Sequence, residues 1–572
     1  MRSASPRHDS HMIALARGDG NVDLVINGAE VFSPLTRTWV STSLAIADGV
    51  VVGWGERPTK ERLDLAGMII VPGFIDAHVH IESTKLWIDR FVEATVPMGT
   101  VAVASDPHEM ANVKGLEGVR AMIAAAHDLP ITIGVCGSSC VPASRFESPG
   151  ATFEVEAIAE VLAETDALGV AEVMDFPGVI AGDETLLAKI ALAGSRRVDG
   201  HAPGLRGSDL DAYLVAGVES DHEMVSLEEV DEKRHKGMWV FLRHGSASHN
   251  LAAFAPSVRA YGTTNVALCS DDREPDLLLE RGHVNDLVRI ALEAGISLED
   301  ALVLATLNPA TYHGLTHLGH LGPGRQADFV VYRSRAELEA GRPPAMVFHR
   351  GRLVAEDGRL VVELPRREVP ETLLATVRLA RALVEGDFTT PIPERVRVIV
   401  ANDHSLWTNQ RVTTRDELTG INRLAVVERH HATGRIGHGL VEGFGLERGA
   451  IASTVAHDAH NLMVVGALGA EADMATAANR VAALGGGQVV VVDGQVIAEV
   501  PLPIAGLMSD APIAETARAV VEATQAAHAL GSTLEAPFMT LAFLGLSVIP
   551  ELKLTDQGLV DVGAWDVVSL EA

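Results

Sequence analysis

Eight times between Gly73 and Thr316 a short apolar run gives way to a stretch of helical periodicity, and no other feature of the chain constrains its fold as strongly. The runs lie at 74–80, 100–105, 131–135, 169–173, 197–201, 217–221, 238–242 and 265–269. Apolar strands separated by helices imply parallel βα units, and eight such units over this length make a (β/α)8, TIM-like barrel. Functional groups on such a barrel gather at the carboxyl ends of the strands, so the residues to inspect are the last of each run and the first beyond it.

The flanks have a different texture. Residues 21–73 alternate β-rich runs with the turn dipeptides Asn27-Gly28 and Asp48-Gly49, and the same texture returns over 319–365 with Asp357-Gly358. The two segments are expected to form one small β-sandwich domain into which the barrel, 74–318, is inserted. Residues 366–572 read as a C-terminal α/β domain opening with a helix over 371–385, after a Pro-containing linker. Its Gly485-Gly486-Gly487 run lacks the Lys-Ser/Thr helix start of a phosphate loop and reads as a turn. Residues 1–20, rich in Ser, Asp, Gly and His, are expected to be a disordered extension.

Composition narrows the function. Of 572 residues, 76 are acidic and 46 basic, and a net charge of −30 repels phosphate backbones and anionic lipids, so neither nucleic acid nor a membrane surface is an expected partner. No run of 18 apolar residues occurs. Three cysteines in so long a chain argue against a disulfide framework and for a cytoplasmic location.

At the strand ends the residue types converge. His78 and His80, two apart on one strand, point to the same face, toward the barrel interior. Strand four ends at Glu172, strand five at His201, strand six at His222 and strand eight at Asp271-Asp272. Singly, each has an ordinary explanation: a solvated carboxylate, a satisfied rim histidine, a helix N-cap. Jointly, four imidazoles with carboxylates to balance charge describe a two-metal site.

The segment VPGFIDAHVHIEST, residues 71–84, with this order of His, acid and Asp along the strands, resembles the opening and metal site of the amidohydrolase superfamily. More narrowly, SDPHEMANVKG (105–115), CSDDREP (269–275), HDAHN (457–461) and PFMTLAFLGLSVIPELKLTDQGLVD (537–561) resemble bacterial adenine deaminases, over nearly the whole chain after residue 20. The resemblance implies hydrolysis of adenine to hypoxanthine and ammonia, with two manganese ions as cofactor and iron or zinc as possible substitutes. Where a common superfamily variant has a carboxylated lysine on strand four, this chain has Glu172. His78, His80 and Asp271 are accordingly assigned to one ion, His201 and His222 to the other, and Glu172 to the bridge. Coordination brings the pKa of water down to about 7, so a hydroxide shared by the ions is the expected nucleophile.

Asp271 is the expected proton shuttle and Asp272 its alternative by register. Glu82, His108 and Glu109 are further catalytic candidates; Asp106, Arg243, His457, Asp458 and His460 are candidates for substrate binding. Each could instead orient a ligand, and the 457–461 segment could be a structural turn or add a metal ligand. The expected partner is a purine base and the expected assembly a homo-oligomer, a dimer. Competing readings are a cyclic amide or imide hydrolase, dihydroorotase-like or imidazolone-hydrolysing, and a non-catalytic metal-binding homologue.

Overall fold

The computed structural model describes residues 9–246, 248–403 and 405–572. Eight parallel strands follow in chain order: β1 (Phe74–Val79), β2 (Thr100–Ser105), β3 (Thr132–Ser138), β4 (Ala167–Val173), β5 (Arg197–Gly200), β6 (Ser220–Asp221), β7 (Trp239–Arg243) and β8 (Val266–Cys269). They pair in sequence as an arc of five, β1 to β5, and an arc of three, β6 to β8. The arcs meet on one side where the Glu219 N–H donates to Val198 O (2.9 Å). On the other side His80 N–H donates to Asp271 O (3.1 Å) and Asp271 N–H to His78 O (3.0 Å), which joins the ends of the first and last strands. His78, His80 and Asp271 therefore sit at this closure of the ring.

Two antiparallel-rich sheets flank the barrel, and each takes strands from both ends of it. One pairs 22–27, 44–47, 50–54 and 59–64 with 325–326; the other pairs 30–33, 38–41 and 69–72 with 329–332, 346–349, 352–356 and 359–360. Ile26, Leu44 and Val51 of the first pack against Val31, Ile70 and Phe329 of the second in one apolar cluster. Beyond residue 390 an eight-stranded sheet carries the helices Glu471–Leu484 and Ile513–Ala529. Helix Pro537–Phe543 packs against the two strands Ala450–Ser453 and Leu462–Ala467 of that sheet.

Two expectations are corrected. From Ser10 the N-terminal segment is a helix, Ser10–Arg17, capped by Asp9, whose carboxylate accepts the His11 N–H, and stopped by Gly18 at φ 90°. Its Met12 and Leu15 are buried with Val22, Val25, Ala45 and Val50, so apolar anchoring outweighs the polar composition. Residues 371–385 are not a helix; they hold only the 3-10 turns Glu371–Leu373 and, at their end, Glu385–Asp387. Between these turns the backbone pairs with distant chain: Arg378 N–H donates to Arg429 O (2.7 Å), Leu383 N–H to Asn479 Oδ1 (2.9 Å), and Asn479 Nδ2 to Leu383 O (2.8 Å). Those tertiary bonds replace the helical ones and seat the buried Leu373 and Leu383. The glycine run is a turn: Gly485, at φ 79°, caps the helix Glu471–Leu484.

Candidate metal centre

Strand alternation builds the centre from β1 outward. His78 and His80 reach the centre from the end of β1, where the pairing with β2 shifts register between Asp76 and Val79. Asp76 fixes the strand by accepting the His78 N–H (3.2 Å) and pairing with His283 (3.0 Å). His80 donates from Nδ1 to Asp106 O (2.9 Å), which leaves its Nε2 lone pair aimed at the cluster.

Glu172, at the end of β4, divides its oxygens between two pairs of imidazoles. Oε1 lies 2.8 Å from His78 Nε2 and 3.0 Å from His80 Nε2; Oε2 lies 2.9 Å from His201 Nδ1 and 3.5 Å from His222 Nε2. Asp271 Oδ1 closes the first group, 3.4 Å from His78 Nε2 and 3.1 Å from His80 Nε2. All six residues are buried. Donors gripping one ion with bonds of about 2.1 Å stand roughly 3.0–3.4 Å apart, depending on geometry. Most of these separations fall in or beside that range, and the set of imidazole and carboxylate donors could hold divalent metal.

Electrostatics point the same way. Burial alone would raise the Glu172 carboxyl, but the facing imidazoles of His222 and His78 outweigh it and hold it well below the usual carboxylate range. Asp271 behaves alike, its burial overcome by the Arg243 guanidinium and then by His78 and His80. Burial depresses His78, yet Glu172 and Asp271 draw it up to about 10. The ionised carboxylates thus create a demand for positive charge at the point where the donors converge.

The other residues expected at the site divide into two sets. His108, Asp272, Arg243, His457 and Asp458 line one cavity together with His80, Glu172, His201, His222 and Asp271. Within it Arg243 forms buried ion pairs with both Asp271 Oδ2 and Glu223, so it faces the shuttle candidate directly. Glu82, Glu109, Asp106 and His460 stand behind the wall. Glu82 Oε1 accepts the Met110 N–H (3.0 Å). The Ser83 hydroxyl lies between Glu109 Oε1 (2.7 Å) and Asp272 Oδ1 (2.5 Å). Asp106 backs His108, Nδ1 to Oδ2, at 2.9 Å. His460 accepts the Ala456 N–H at Nδ1 (3.1 Å), which places its proton on Nε2, 3.6 Å from Glu109, and disqualifies that nitrogen as a metal donor.

Sequence reasoning missed Glu223, Ser83 and Asp76. Asp76 acts through His283 and Ser270, far away in the chain, and needs the fold to be seen. Glu223 adjoins a ligand histidine, but its pairing across to β7 needs the fold. The apolar wall also escaped notice: Leu406, Phe543 and Leu546, all from beyond residue 400, complete the cavity, and Phe543 stacks on His457 with ring centroids 4.4 Å apart.

Comparison with known proteins covers both halves of this arrangement. Residues 69–354 match the model of the Amidohydrolase family, and residues 401–565 that of the Adenine deaminase C-terminal domain. The chain is 41% identical to adenine deaminase 2 of Carboxydothermus hydrogenoformans, over 97% of this chain and 98% of that protein. It is 42% identical to an adenine deaminase of Nitratidesulfovibrio vulgaris strain DP4, over 98% of each. Among solved structures, a β-aspartyl dipeptidase of Fervidobacterium islandicum aligns with a TM-score of 0.46 at 19% identity, over 60% of this chain and 99% of that one.

Proposed function

The chain belongs to the amidohydrolase family, among its adenine deaminases, and from that premise we propose how its own residues divide the hydrolytic deamination of adenine. The observation that carries the proposal is the split of the Glu172 carboxylate between the His78/His80 and His201/His222 pairs, with Asp271 opposite.

His78, His80 and Asp271 would hold one ion and His201 and His222 the other, with Glu172 common to both. Manganese is the proposed ion, since carboxylate oxygens suit it, and iron or zinc can take the same donors. Bound there, the ions supply a nucleophile at neutral pH by lowering the pKa of coordinated water.

The remaining steps belong to side chains. Asp271 Oδ1, facing the donor cluster, accepts a proton as water adds to C6 of adenine and delivers it to the ring or to the departing amine, so that ammonia and hypoxanthine are released. Arg243, braced by Glu223, clamps Asp271 Oδ2 and keeps Oδ1 turned inward. Asp272, held by Ser83, lies beside it to bind the ring. Leu406, Phe543 and Leu546 cover the ring faces and exclude water.

A cytoplasmic location, which the three free, buried cysteines suit, and a homodimer are part of the same proposal. No described helix is long and apolar enough to cross a membrane. The test is conversion of adenine by metal-loaded protein. Hypoxanthine and ammonia are expected in equal amounts, and ring opening of a cyclic amide without ammonia from adenine would overturn the assignment.

A further inference from the structure

Outside the six donors of the main centre, three buried side chains meet where the helix following β2 faces the C-terminal region: His108 from the barrel, His457 and Asp458 from the other side. They are 2%, 3% and 1% exposed. His108 Nε2 is buried without a hydrogen-bond partner, as are Asp458 Oδ2 and His457 Nε2.

The tautomer of His108 is fixed by what stands behind it. Its Nδ1 bonds Asp106 Oδ2 at 2.9 Å, and Asp106 Oδ1 takes the Ser138 hydroxyl at 2.6 Å. A carboxylate holding one ring nitrogen turns the lone pair of the other outward, which is the arrangement that backs a metal-ligating histidine. That lone pair faces Asp458 Oδ1 at 3.7 Å, and His457 Nδ1 faces the same oxygen at 3.8 Å. Both distances are too long for hydrogen bonds. Two donors of one ion, with bonds of about 2.1 Å, stand between roughly 3.0 Å when adjacent and 4.2 Å when opposed. Phe543, stacked on His457, holds its ring in place.

We propose that His108 Nε2, His457 Nδ1 and Asp458 Oδ1 form a third cation site, for a divalent first-row transition metal, separate from the pair shared by Glu172. Two imidazoles and a carboxylate select that class over calcium or magnesium, which prefer all-oxygen shells. Such an ion ties the C-terminal region to the barrel. The three residues line the substrate cavity, so its open positions are within reach of a ring nitrogen of the base.

The test is zinc stoichiometry, by equilibrium dialysis of chelator-stripped full-length protein against Zn2+ alone and elemental analysis. Three equivalents per chain are expected in the unmodified protein and two in Asp458→Asn, which keeps the shape of the side chain. Should Asp458→Asn be insoluble, His457→Gln is read the same way. Saturation of the unmodified protein at two, or retention of three in the variant, overturns the proposal. Glu172→Gln separates this inference from the main centre, because it weakens the barrel ions and leaves the third equivalent bound. A protein binding only two ions, both sensitive to Glu172, loses the third site and keeps the centre.

Discussion

Replacing Glu172 by glutamine isolates the bridge. The carboxylate presents Oε1 at 2.8 and 3.0 Å to one imidazole pair and Oε2 at 2.9 and 3.5 Å to the other. An amide of the same shape offers one oxygen and one NH2, and the nitrogen has no lone pair to give a metal. Whichever way it is turned, one ion loses a donor and both lose the negative charge between them. Substitutions behind a metal ligand cost about 10–100-fold in affinity, so loss of a shared, charged ligand should reach at least the upper end, roughly 100-fold or about 2.7 kcal/mol per ion. Competition dialysis of Glu172→Gln against a chelator of known affinity reads this directly. Both barrel ions retained as tightly as in the unmodified protein would refute the bridge and move the shared ligand elsewhere.

Other outcomes follow from the same geometry. Asp271→Asn should keep most of its metal, because His78, His80 and Glu172 remain on the ion it shares, and lose about 10²–10⁴ in kcat, the usual contribution of a positioned proton-transfer group; a near-normal rate would pass the shuttle to Asp272. Lys553 is wholly buried with its amine hydrogen-bonded to Leu406 O (2.8 Å) and Phe543 O (3.1 Å), and burial pushes it down to about 7. Between about pH 7 and 10 the unfolded chain therefore holds a proton that the native chain lacks, and this lysine makes stability rise with pH, by about 1.4 kcal/mol per unit. Thermal midpoints measured across that range should climb more steeply for the unmodified protein than for Lys553→Met, and parallel curves would show that the amine stays charged in the fold.

Much of the centre was legible in the sequence because its donors obey strand periodicity. His78 and His80 are two apart, and Glu172 and Asp271 stand at the ends of apolar runs, so position and chemistry could be read together there, whereas His201 and His222 end short, mostly polar runs. Residues acting across the ring were harder. Arg243 and Glu223 lie 20 positions apart and meet only when β6 and β7 pair, so Arg243 read as a substrate group rather than as the partner of Asp271. Local pattern also misled where distant backbone competes for hydrogen bonds. Residues 371–385 read as a helix, yet Arg429 and Asn479 claim the Arg378 N–H and the Leu383 N–H and C=O. In the opposite sense, the polar composition of the first 20 residues hid Asp9, Met12, Leu15 and Gly18, which are a cap, two anchors and a stop.

The account's central claim is that the Glu172-centred donors serve catalysis by holding metal, and the most direct measurement is adenine turnover as Mn2+ is returned to chelator-stripped protein. Hypoxanthine formation should be nearly absent from the stripped protein and recover as the barrel donors fill, with Glu172→Gln needing about 100-fold more free Mn2+ for the same recovery. Undiminished turnover in protein shown by elemental analysis to be free of metal would contradict it.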